Sequence, residues 1–172
     1  MPTLVVNRNT YQQSKRWEEI IKSIWNQDEV SCRMYYGCNP YQAEAIVTSF
    51  RMVHGAYQTR SLIRIHCFSI IFDYLTMEED AKEVMVAIMN YFSPFFQNIC
   101  VLKKGESGRY EATFVVNAVS YRDGRKFHDN NKAYIYLKNH LERFLKSRIS
   151  IRISDQTLFS DDSHSRNYTK IL

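Results

Sequence analysis

The chain has 172 residues, 45% of them hydrophobic and 14% aromatic. That is enough apolar mass for one folded domain with a real core, and too much for a disordered segment. No apolar run reaches the ~18 residues of a membrane span, and residues 1–16 lack the charged, apolar, small-residue order of a signal peptide. Cys32, Cys38, Cys67 and Cys100 show no paired CxxC spacing; they read as thiols in a reducing, cytoplasmic compartment, Cys67 and Cys100 as small buried hydrophobes. A net charge of +5 and a pI near 9.0 permit a polyanionic partner without demanding one.

In chain order, residues 1–13 carry the short apolar piece Leu4-Val5-Val6, an edge strand or an arm. From Ser14, the expected N-cap, to Trp25 the apolar set Trp17, Ile20, Ile21, Ile24 and Trp25 recurs at helical spacing. Val30 to Tyr36 reads as a strand broken by Gly37. Asn39 then caps, and Pro40 opens, a helix over about Tyr41 to Val53, which His54-Gly55 ends with His54 as a C-terminal cation. Leu62 to Phe72 is the most β-like run, apolar on both faces with Arg64 and His66 interrupting one. Thr76 and Glu79 have the spacing of a capping box. The helix they introduce buries Ala81, Val84, Met85, Ile88, Tyr91 and Phe92 and stops at Pro94. Asn98 to Leu102 is a strand, and Gly105 and Gly108 bracket the hairpin after it.

Arg109 to His128 organises the chain. Tyr110, Ala112, Phe114, Val116 and Ala118 alternate with Glu111, Thr113, Val115, Asn117 and Val119 up to Tyr121, so a central strand covered on both sides is expected. One face turns polar at Arg109, Glu111 and Thr113, a natural platform for a site. Asp123-Gly124 makes the turn. A helix over about Asn130 to Lys146 follows, with Ala133, Tyr134, Leu137, Leu141, Phe144 and Leu145 inward, then a strand through Ile149, Ile151 and Ile153. Residues 155–172 are polar and read as a mobile tail. The expected fold is a single α+β domain over 14–154, a central mostly antiparallel sheet flanked by helices in two or three layers.

The chemistry-bearing residues are few. His66 stands alone on its strand and fits a satisfied core histidine; His128 follows the basic turn as a loop histidine. No HxH, HExxH, CxxC or Gly-rich phosphate loop occurs. Arg122, Arg125 and Lys126 lie beside Tyr121 and Phe127, a mixture that suits phosphate contact with base stacking and equally suits a solvated hairpin tip.

The run TFVVNAVSYRDGRKFHDNNKAYIYLKNHLERFL (113–145) resembles the core of plasmid mobilisation relaxases, nicking endonucleases of the HUH type. Tyr57 to Asp73, Thr76 to Phe92 and Asn39 to Val53 are similar to that family's preceding strand and helices, so the resemblance runs over about 15–153. It implies a sheet flanked by helices and a metal-dependent enzyme that cuts one DNA strand through a tyrosine. The family's metal-binding imidazoles would fall at Arg109, Glu111 and Thr113, and its tyrosine at Ser23; of the catalytic set only His66 keeps a counterpart. Three imidazoles exchanged for Arg, Glu and Thr remove the ligands, and Glu111 alone would hold Mg2+ or Mn2+ only weakly.

The expectation is an inactive relaxase-like domain with no catalytic residue, no metal and no cofactor. It would bind single-stranded or hairpin DNA through Arg109, Glu111, Thr113, Asn117, Tyr121, Arg122, Arg125, Lys126, His128 and His66, as an accessory or regulator in a mobile element. Protein partners of a mobilisation complex would join it, and no membrane. Two alternatives stand beside it. One is a protein-interaction module using Trp17, Trp25, Tyr35 and Tyr36. The other is a nuclease with relocated ligands and Tyr35, Tyr36, Tyr110 or Tyr121 as nucleophile.

Overall fold

Strands that are apolar on both faces need a cover on each side, and the computed structural model supplies it as two helix pairs. It describes residues 1–7, 16–60, 62–146 and 150–154, the last through its backbone alone. The elements run β1 (Thr3–Asn7), α1 (Arg16–Trp25), β2 (Val30–Tyr36), α2 (Ala43–Ala56), β3 (Ile65–Ile71), α3 (Glu78–Phe92), β4 (Asn98–Lys104), β5 (Tyr110–Asn117), α4 (Asn131–Leu145) and β6 (Ser150–Ser154). The strands form one sheet in the order β2-β4-β5-β3-β1-β6. All neighbours are antiparallel except β1 and β6, which are parallel. The architecture is therefore α+β, with a mostly antiparallel sheet between two helical layers. From β3 to β6 the chain follows the βαββαβ course of ferredoxin-like domains, opened by β1 between β3 and β6.

Side-chain alternation assigns each face. Phe68 and Ile70 of β3, Cys100 and Leu102 of β4, and Ala112, Phe114 and Val116 of β5 pack with α3 and α4. Phe68 and Phe114, directly opposed in register, stack with ring centroids 5.0 Å apart. Ile65, Cys67, Ile99, Val101 and Val115 face the other way, against Trp17, Ile20, Ile21 and Ile24 of α1 and Ile46, Val47 and Phe50 of α2. Each large side chain buried here contributes ~1.5–3 kcal/mol.

Several expectations shift. β1 is an interior strand, not an edge or an arm, because it pairs with β6 from the far end of the chain. Ser14, Ile149 and the tail lie outside the described residues. α2 starts at Ala43; the Asn39 side chain instead accepts from the Tyr41 amide, 3.1 Å away. The expected capping box does not form: Thr76 donates to Asp73 at 2.8 Å and α3 begins at Glu78. Phe144 is 61% exposed, since Tyr134, Leu137 and Leu141 already fill the inner stripe of α4. Trp17 and Trp25 are buried rather than surface-exposed, Trp25 only at the edge of a cleft.

β5 ends at Asn117, four residues before the expected limit. This side chain is fully buried and ties three elements together. Its amide donates to Gln97 Oε1 at 2.8 Å and to the Phe50 carbonyl of α2 at 3.4 Å, while its oxygen accepts from the Val119 amide at 3.1 Å. Asn117→Ala leaves the Gln97 amide oxygen and the Val119 amide without this buried partner. We expect a loss of ~2–4 kcal/mol in urea unfolding with an unchanged m-value; a loss under about 0.5 kcal/mol would show the network to be dispensable.

Candidate nucleic-acid interface

Past Asn117 the chain makes a tight loop whose shape is written in hydrogen bonds. Val119 and Lys126 form an isolated bridge. The Ser120 amide donates to Arg125 O at 2.8 Å, and the Phe127 amide to Ala118 O at 2.9 Å. The Ser120 hydroxyl accepts from the amides of Arg122 and Asp123 at 3.2 and 3.3 Å, and Asp123 accepts from the Arg125 amide and Nε at 3.2 and 2.7 Å. Bonding to Ser120, then to Arg125, keeps the Asp123 carboxyl below its ordinary value. Gly124 turns at φ 73°. A Cβ there would sit 2.3 Å from the ring of Tyr57, whose hydroxyl donates to Tyr121 O at 3.1 Å.

The result is a fixed display of cations. Arg122, Arg125 and Lys126 are exposed, and the two guanidinium groups stand over the Phe95 ring at 5.8 and 4.3 Å. Tyr121 supports them from the side, its hydroxyl donating to Ser93 O at 2.7 Å. Burial first, then a hydrogen bond with Tyr36, raises the Tyr121 phenol above its ordinary value. The Tyr110 phenol is raised too, by desolvation and then by Glu78, to which it donates at 3.3 Å. Each phenol therefore holds its proton more tightly than free tyrosine.

Most of the expected site residues fall into two groups at opposite ends of β5. Tyr121, Arg122, Arg125, Lys126 and His128 gather at the loop, where His128 is exposed. Asn117 and His66 lie at the same end but inside. His66 is 2% exposed on the α3–α4 face, edge-on to Phe127 at 5.1 Å, with Nδ1 3.5 Å from Asp129. Both are core groups that a surface-bound strand would not touch.

Arg109 and Glu111 stand at the other end, roughly 20–26 Å from Asn117 along the strand, and Thr113 lies midway, about 13 Å from it. Arg109 lies just before β5, its guanidinium 3.9 Å over Tyr74. Thr113 shares a hydrogen bond with Ser69 at 3.1 Å. Glu111 is opposed by Ile71 and Lys103, which supply no second oxygen for a cation. Among the described residues no three His, Cys, Asp or Glu side chains converge as metal ligands. An open cleft of about 430 Å3 near Trp25, Arg33 and Tyr41 is lined by none of the residues expected to contact DNA.

Sequence reasoning missed Phe95, Tyr57 and Ser120. Only Ser120 left a signal, as a hydroxyl residue opening a turn. It also misread His54, which is 5% exposed, under Arg64. Arg64 can only donate, so its 3.2 Å contact makes His54 Nδ1 an acceptor, and Nε2–H donates to Arg64 O at 2.9 Å. The ring is therefore neutral. Burial and, less strongly, the Arg64 charge hold its pKa below the ordinary 6.5, against the Arg64 carbonyl, which favours the cation.

No protein-family model, no curated protein and no solved structure matches the chain.

Two predictions follow from the loop and its support. Gly124→Ala puts a side chain at positive φ and into Tyr57, and should cost about 1–3 kcal/mol in thermal or urea unfolding. Adding Tyr57→Ala should not restore the part that is backbone strain. For His54, the unfolded chain takes up the proton first as pH falls below about 6.5, so the stability contributed by the neutral ring is complete above that value and drains away beneath it. His54→Gln, neutral at every pH, should flatten the decline in unfolding midpoint between pH 6.5 and the carboxylate range near 4.5. An unaltered slope would assign the decline to other groups.

Proposed function

We propose that this domain is a non-catalytic DNA-binding module that holds a strand against the loop at residues 120–127. One observation carries the reading: two exposed guanidinium groups, Arg122 and Arg125, are fixed over the Phe95 ring by a loop that binds its own backbone, with exposed Lys126 next to them in the chain. Phosphates supply the charge that such cations recognise, and an aromatic floor suits the bases. DNA as the polyanion rests on the resemblance of 113–145 to mobilisation relaxases, and so does a role as accessory or regulator in a mobile element. Ser23 at the nucleophile position, and Arg109, Glu111 and Thr113 at the ligand positions, support binding without cleavage. Four free cysteines support a reducing, cytoplasmic setting.

The test is retention of a fluorescent single-stranded or hairpin oligonucleotide at ~50 mM salt. Arg122→Glu with Arg125→Glu should weaken binding at least about ten-fold and make the salt slope shallower by about 1.4 for a single strand. Supercoiled plasmid should stay closed in Mn2+. Failure of the unaltered protein to bind would sink the proposal. Tyr35 and Tyr36, 51% and 44% exposed on the edge strand β2, favour the second reading, a protein-interaction module. In that case the double arginine variant would keep its partner.

A further inference from the structure

The outer face of α4 carries a ladder that the core does not use. Lys132, Tyr136, His140 and Phe144 are spaced four apart, so they form one stripe along the helix. The Lys132 ammonium lies 5.7 Å from the Tyr136 ring. His140 and Phe144 are nearly parallel, 13° apart with centroids at 6.1 Å, and Tyr91 of α3 leans on His140 at 5.0 Å. Tyr136 and Phe144 are 54% and 61% exposed. Tyr134, Leu137 and Leu141 already bury the opposite stripe. These outer rings therefore keep apolar surface in water with little return in packing.

We propose that this ladder is a second contact surface for the same nucleic acid, taking the unpaired bases of a single strand that continues from the loop. The inference rests on the DNA-binding reading above. Two features choose this occupant. First, the stripe contains a lysine and a histidine and no carboxylate, and the nearby Glu142 is paired with Lys138 off the stripe, 3.6 Å apart. Second, it follows the cationic loop directly along the chain: exposed Lys126, His128 and Lys132 lead from the loop into the first turn of α4. Exposed rings accept a base face without regard to its identity, which duplex DNA cannot offer along its side. From Lys132 to Phe144 the helix rises ~18 Å, room for several unpaired nucleotides.

The measurement is fluorescence anisotropy with oligothymidylates of about 5 and about 20 nucleotides, on the full chain. The unaltered protein should prefer the longer strand. Tyr136→Ala with Phe144→Ala removes exposed rings only. It should lower affinity for the longer strand roughly ten-fold or more, leave the short one nearly unchanged, and leave the salt slope as it was, since no charge is lost. Lys132→Ala should instead make that slope shallower by about 0.7. If binding depends on Arg122 and Arg125 but is indifferent to the ring pair at both lengths, the ladder is overturned and the loop reading stands. If the unaltered protein binds neither strand, both fall. If the ring pair changes sedimentation rather than affinity, the stripe is a contact between copies of the chain, and the inference is overturned.

Discussion

A central strand covered on both faces leaves polar side chains few places to go, and this constraint shapes the molecule. Along β5 the side chains of Ala112, Phe114, Val115 and Val116 are sealed between the helical layers. Polar groups appear where the cover stops, at Arg109, Glu111 and Thr113 on one side and from Asn117 onward on the other. Asn117 is the exception that the constraint permits: its amide is buried because Gln97, Phe50 and Val119 satisfy it completely.

The loop beyond Asn117 inherits that rigidity. Arginine side chains on an unsupported hairpin would lose rotamer freedom on binding a phosphate. Here Asp123 and Phe95 already restrict Arg125, and Phe95 restricts Arg122. Tyr57 closes over Gly124 from the far end of α2, so the loop leans on the segment that also carries His54 and Arg64. The neutral imidazole under Arg64 matters for the same reason. A charged ring would face a guanidinium with little water between them.

The separation of the two polar ends bears on chemistry. A metal-assisted cut needs ligands, nucleophile and phosphate contacts together within a few ångströms. In this chain Arg109 and Glu111 stand across the length of β5 from the cationic loop, and Thr113 lies midway along the strand. The phenols of Tyr110 and Tyr121 are bonded to Glu78 and to Ser93. The polar end of β5 and the cationic loop therefore do not form one site.

Periodicity was legible wherever the partner of a residue was close in sequence or was simply the core. The stripes of α1 and α3, the two-faced apolar runs of β3 and β5, and the glycine turn at Gly124 all follow from local pattern, because burial alone decides them. The alternation also marked Arg109, Glu111 and Thr113 as a polar strand end. What the sequence did not disclose depends on contacts between distant segments. β1 becomes interior only through β6, Phe95 lies beneath Arg122 and Arg125 only after β4 and β5 pair, and His54 is neutral because the fold buries it under Arg64, which leads into β3. Side-chain type and spacing set which face each element buries. Tertiary packing alone decided which polar groups met, since hydrogen bonds and ring contacts act over a few ångströms and no local pattern encodes their distant half.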